Sequence, residues 1–220
     1  MTLSRRDLEE NRMSALYASA TQRQALTAEE LSASLTATLA TKPKGAGWWV
    51  FGYGSLLWNP LFPVAETHTG TVRGFNRRFC LRSMASRGTP DQPGLVLGLD
   101  RGGSCRGLVL RLPAPLAVDE LHLLWRREMV VGSYVPRWVS VEADGERRCA
   151  LTFVVKRSHP HYTGKLDLRE QVRILGCACG AFGSSRDYLN LTRAALAAHG
   201  IVDGYLETLA ARLDEATAIG

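Results

Sequence analysis

From Trp48 onward the chain reads as short apolar runs stopped by glycine, with a single helical stretch among them, and this pattern limits the available folds most. Residues 48–51 form an apolar run that ends at glycine. Residues 69–75 and 77–82 read as neighbouring strands, followed by a Gly- and Pro-rich loop over 86–94. Residues 95–99 and 106–112 are further strand candidates, and 118–130 has helical spacing. Strand patterns resume at 135–141 and 148–155, around an Asp144-Gly145 turn. Three helical patterns close the chain at about 166–179, 185–198 and 201–213, with Gly200 suited to end the second. A parallel α/β sheet would interleave a helix after nearly every strand, and this chain does not. The expectation is an α+β fold: a small β-barrel flanked by helices.

Residues 1–47 read differently, as a helical, peripheral N-terminal extension ahead of a core domain at 48–220. Thr27-Ala-Glu-Glu30 has the form of a capping box, and Leu31, Leu35 and Leu39 then mark one helix face. The stretch from Thr41 to Gly47, with Pro43, Gly45 and Gly47, breaks that helix and reads as a linker. The first ten residues are charged and carry no apolar stretch, so they do not resemble a secretion signal. No run approaches the ~18 apolar residues of a membrane span. These readings set cytoplasmic localisation as the expectation, with no membrane partner. The five cysteines form no C-x-x-C pair and are expected as free thiols, with no metal site. The net charge of +6 is spread over short pairs such as Arg77-Arg78, which suits a basic surface and a small anionic substrate better than nucleic acid. Arg77-Arg78 is expected to flank a strand and His159-Pro-His161 to form a surface turn.

Two features carry chemistry. In the first, Val50-Phe-Gly-Tyr-Gly-Ser-Leu56, an apolar strand runs directly into Gly52 and Gly54. Glycine there permits φ > 0 and a close approach of ligand to main chain. Successive amides in such a turn form a concavity for an anion or oxyanion, although an ordinary strand-to-loop turn has the same composition. A dinucleotide fingerprint needs a third glycine where Leu57 stands, and a phosphate loop needs a lysine that is missing here. No cofactor is expected. The second feature is Glu128. Leu121, Leu124 and Trp125 mark the apolar face of the 118–130 helix, and Glu128 falls seven residues after Leu121, on that face. Arg126 and Arg127 are expected to point elsewhere. An inward carboxylate either bends to solvent, pairs with an arginine, or serves as a base whose desolvation tunes its pKa toward neutrality.

Val50-Phe-Gly-Tyr-Gly-Ser-Leu56 and Trp125-Arg-Arg-Glu-Met-Val-Val-Gly-Ser-Tyr134 together resemble the ChaC family of glutathione-specific γ-glutamylcyclotransferases. Arg87-Gly-Thr-Pro-Asp-Gln-Pro-Gly94 and Ser185-Arg-Asp-Tyr-Leu189 follow the same pattern, in order, over residues 46–213. The resemblance implies a small β-barrel flanked by helices and no cofactor. It implies a γ-glutamyl-binding loop at Val50, Phe51, Gly52, Tyr53, Gly54, Ser55 and Leu56. It also implies Glu128 as catalytic base and Tyr188 as a substrate contact, while Arg87 and Tyr134 stand beside the motifs. The implied reaction is cyclisation of the γ-glutamyl group of glutathione to 5-oxoproline with release of cysteinyl-glycine. The alternatives are turnover of other γ-glutamyl amino acids or amines, or a non-catalytic regulator of cation transport.

Overall fold

The computed structural model describes residues 2–21 and 25–219; the part of the helical N-terminal expectation that falls on residues 1 and 22–24 lies outside the described residues. Three helices come first, α1 (Arg5–Glu9), α2 (Arg12–Thr21) and α3 (Ala28–Ala40). Helix α3 starts as its sequence dictates: Thr27 caps the Glu30 amide and the Glu30 carboxylate accepts from the Thr27 amide.

Five strands then close into a barrel in the order β1-β3-β2-β4-β5, with β1 (Trp49–Gly52), β2 (Glu66–Ser83), β3 (Gly94–Arg111), β4 (Tyr134–Ala143) and β5 (Glu146–Val155). Closure comes from parallel contacts of β5 with β1 (Val50 opposite Leu151) and with β3 (Leu99 opposite Val154). The four strands expected over 69–112 are in fact two, each 18 residues long and paired from Glu66–Arg111 at one end to Ser83–Gly94 at the other. Gly74 (φ +82°), at a register shift between Arg73 and Phe75, and Gly102 and Gly103 (φ +102° and +70°) are bends inside these strands rather than their ends. Bulges of this kind let a strand turn the corner of a small barrel. The exposed run from Arg101 to Ser104 hides that continuity, because it interrupts the apolar alternation.

Inside the barrel Phe51, Phe79, Phe153 and leucines of β3 are essentially inaccessible. Helix α4 (Ala117–Glu128) lays Leu121, Leu124 and Trp125 against them, the Trp125 ring edge-on to Phe153 at 5.3 Å. The Trp125 indole N–H donates to Ser34 Oγ (3.2 Å), fixing α3 over α4. After the barrel come α5 (Leu168–Cys177), a two-strand turn of β6 (Cys179–Gly180) and β7 (Gly183–Ser184), α6 (Ser185–Ala198) and α7 (Gly204–Ile219). Helix α6 opens with Ser184 and Asp187 in another reciprocal cap, and Gly200 (φ +66°) follows its end as the sequence suggested. No helix among the described residues is long and apolar enough to cross a membrane.

Helices α1 and α2 are packed more intimately than a peripheral extension would be. Arg5 makes a bidentate contact with Glu120 of α4 (2.7 and 3.0 Å). Leu8, Met13 and Tyr17 are buried with Ala85 and Val130. Leu3, Met13 and Tyr17 of this segment line one cleft with Ser55 beyond β1, Glu128 at the end of α4 and Tyr188 in the first turn of α6.

Candidate active site

The glycine turn after β1 is a short 3-10 helix over Ser55–Leu57. Its first internal backbone bond is donated by Leu57 to Gly54 O (2.9 Å), so the amides of residues 54–56 precede it and have no acceptor within the turn. Neither Gly52 nor Gly54 has positive φ, contrary to the expectation from sequence. Close approach explains both instead. A Cβ on Gly54 would lie 2.7 Å from the Tyr188 hydroxyl, and one on Gly52 would lie 3.2 Å from Leu56 Cβ. The Tyr53 side chain points into the barrel and donates to Phe153 O (2.7 Å).

Glu128, the last residue of α4, opens onto the same space. A narrow recess is bounded by Tyr53, Gly54, Ser55, Leu56, Leu97, Phe153, Tyr134, Tyr188 and Glu128. It continues into a wider cleft that also holds Glu128, Ser55 and Tyr188, together with Trp58, Arg87, His161 and residues of the N-terminal helices. Of the predicted loop, Val50 and Phe51 are fully buried barrel residues, and neither they nor Gly52 lines the recess. The structure brings together Glu128, Tyr188 and residues 53–56.

Arg127 corrects the sequence reading. It does not point away: its side chain is 6% exposed and its guanidinium organises the site. Nε pairs with Glu128 Oε1 (3.0 Å), Nη2 donates to Ser55 Oγ (2.8 Å), and Nη1 donates to Asn59 O. Neighbouring donors of one rigid fork therefore hold the carboxylate and the glycine turn side by side. The Glu128 side chain is 13% exposed. Burial raises its pKa above the ordinary 4.5, and the Arg127 charge offsets only part of the shift. The Glu128 charge in turn helps burial hold the Tyr17, Tyr53, Tyr134 and Tyr188 phenols above their ordinary value. The result is an acidic group in a tyrosine-lined pocket, with the Arg127 cation beside it and the glycine turn in the same wall.

Two further residues escaped the sequence reading. Arg77 does more than flank a strand: it is buried and donates through Nε to Tyr53 O (2.5 Å) and through Nη2 to Arg106 O (2.5 Å), with Asp203 on Nη1. It thus grips the glycine turn from behind. His161, read as a surface residue, is buried in the cleft wall. The signals were present. Arg127 lies three residues after Leu124 on the apolar stripe, and Arg77 two residues before the buried Phe79.

The closed barrel with flanking helices is a γ-glutamylcyclotransferase fold, shared with a crystal structure of the yeast γ-glutamyl cyclotransferase specific to glutathione. That match has a TM-score of 0.72 at 22% identity, over 78% of this chain and 97% of that one. The family model for ChaC-like proteins matches residues 48–216, and the chain belongs to that family. It is 44% identical over 165 residues to the glutathione-specific γ-glutamylcyclotransferase of Escherichia coli (strain K12), covering 74% of this chain and 71% of that protein. It is 34% identical to the glutathione-specific γ-glutamylcyclotransferase 1 of Mus musculus, covering 64% of this chain and 66% of the mouse protein.

Proposed function

We propose that this chain is a glutathione-specific γ-glutamylcyclotransferase in which Glu128 is the general base. The observation that carries the mechanism is the double contact of Arg127 with Ser55 and Glu128, which ties the carboxylate to the glycine turn. The substrate class follows from the resemblance to the E. coli and mouse proteins bearing that name.

In glutathione the α-amine and the γ-carbonyl belong to one glutamyl residue. Glu128 takes a proton from the α-ammonium, the freed amine attacks the γ-carbonyl carbon, and a five-membered ring closes. Glu128 gives that proton to the leaving nitrogen as the C–N bond to cysteine breaks, the ring nitrogen loses its second proton to the released amine, and 5-oxoproline and cysteinyl-glycine result. The recess folds the glutamyl chain so that amine and carbonyl meet. In well-oriented intramolecular reactions such positioning supplies up to about 7–11 kcal/mol. The amides of residues 54–56 receive the charge that develops on the carbonyl oxygen, where a single donor is worth about 2.7–4 kcal/mol. Ser55 is committed to Arg127 and acts as a positioning residue, not as a nucleophile. Tyr188 closes the recess opposite Gly54. The balanced reaction consumes neither water nor a cofactor. A substrate kept reduced, and five free cysteines in the chain, fit a cytoplasmic protein.

Incubation of purified protein with glutathione tests the reading. It predicts 5-oxoproline and cysteinyl-glycine in equal amounts, and much slower release from γ-glutamyl-alanine. Equal rates on the two substrates would assign a general γ-glutamyl cyclotransferase instead. No product from either would remove the catalytic reading.

A further inference from the structure

Three arginines around the site are buried, and they are not equivalent. Arg127 is saturated by Glu128, Ser55 and Asn59, and Arg77 by Tyr53, Arg106 and Asp203. Arg87 is 6% exposed, yet among the described residues no carboxylate ion-pairs with it. Its guanidinium makes one long hydrogen bond, from Nη1 to Ser184 O (3.4 Å), and otherwise lies over the rings of Tyr188 (5.4 Å) and Trp58 (5.6 Å). Burial pushes its pKa below the ordinary value; the nearest acid, Asp187, is engaged in capping α6. A guanidinium desolvated this far ordinarily has an anion.

The main chain at Arg87 is fixed on every side. Its amide donates to Ser83 Oγ (2.9 Å) and its carbonyl accepts from the buried Ser185 hydroxyl (3.0 Å). A Cβ on Gly180 would lie 2.7 Å from Arg87 N, and one on Gly94 would overlap Arg87 O. Two glycines and two serines therefore serve to bring this backbone where only its side chain reaches the cleft. Such a placement is a built site for a negative group.

The geometry points to Arg87 as the binding residue for the terminal carboxylate of the cysteinyl-glycine half of the substrate. This rests on the reading that the inner recess takes the γ-glutamyl group. Arg87 lines the outer cleft and not the recess. The Tyr188 ring meets Gly54 with its hydroxyl and carries Arg87 over its face, so this one ring separates the turn from the guanidinium. Two extended residues span about 7 Å, which is the reach from the scissile amide to a C-terminal carboxylate. Arg87 thereby selects a γ-glutamyl dipeptide with a free C-terminus over γ-glutamyl amino acids, whose carboxylate lies one residue nearer, and over γ-glutamyl amines, which have none.

The test compares glutathione with its glycine-amide derivative in wild type and Arg87→Gln, alongside calorimetric binding of cysteinyl-glycine and its C-terminal amide. The expected result in wild type is a KM for the acid about ten- to a hundredfold below that for the amide, as for a charge-assisted hydrogen bond. Arg87→Gln raises the glutathione KM to the amide's level while kcat stays within a fewfold, and Arg87→Lys restores part of the preference. Equal handling of acid and amide by wild type overturns the inference without any variant, as does an unchanged preference in Arg87→Gln. The dipeptide binding arm decides Arg87 even if no 5-oxoproline forms, whereas absence of 5-oxoproline counts against the catalytic reading alone.

Discussion

Gly54→Ala tests the steric reason for the glycine turn. The added methyl would sit 2.7 Å from the Tyr188 hydroxyl and 3.7 Å from Leu97 Cβ, so only the tyrosine contact is unphysical. Tyr188 cannot swing aside freely, because its ring packs edge-on to Trp58 and Phe79, both at centroid distances of 6.0 Å. Overpacking of this kind costs about 1–3 kcal/mol. Displacing the turn should lower kcat/KM, by about 100-fold if the shift reaches about 1 Å. In a Tyr188→Phe background the offending oxygen is gone, and the nearest remaining neighbours of the methyl lie at ordinary contact distance. The stability cost of Gly54→Ala should therefore fall by about 1 kcal/mol or more in that background. Any backbone contribution at position 54 is common to both backgrounds and cancels. Urea unfolding of the four proteins, followed by circular dichroism, measures the cycle. An equal cost of Gly54→Ala in both backgrounds would refute the steric account.

The buried charges carry three further predictions. The folded-state pKa of Glu128 is raised, so its contribution to stability is full below the unfolded value of about 4.3 and is lost as pH rises through the folded value. Wild type should thus lose stability relative to Glu128→Gln as pH climbs from 4 toward neutrality; parallel Tm-versus-pH curves would contradict this. The acidic limb of kcat/KM should report the same ionisation, above the ordinary 4.5. Arg77→Met removes the guanidinium that binds Tyr53 O and Arg106 O, at a cost of about 1–3 kcal/mol for each carbonyl left without its donor, while the half-buried Asp203 keeps its bond from the Leu206 amide. A change in unfolding free energy below 1 kcal/mol would show that Arg77 does not brace the turn.

Much of this was legible in the sequence wherever the signal was local. The capping box at Thr27 and Glu30, the β4–β5 turn at Asp144-Gly145 and the inward placement of Glu128 each follow from residues within one or two turns of each other. The long β2 and β3 strands were not legible, because a bulge at Gly74 and a polar bend at Gly102-Gly103 imitate strand ends. The outer cleft was invisible for a different reason. Tyr17 meets Ser86 and Arg5 meets Glu120 across separations of 69 and 115 residues, and no periodicity encodes such contacts. Arg127 was missed by a rule of thumb that assigns charged residues to solvent, although its spacing from Leu124 already set it on the buried face.

The central claim is that one carboxylate moves the proton. Glu128→Gln keeps the shape and the contact with Arg127 while removing the basicity, so it should bind glutathione with wild-type affinity and lower 5-oxoproline formation by about 10²–10⁴-fold. Calorimetry of glutathione binding, run beside a single-turnover assay on the same sample, gives both numbers. Tight binding with near-normal turnover would show that another group takes the proton.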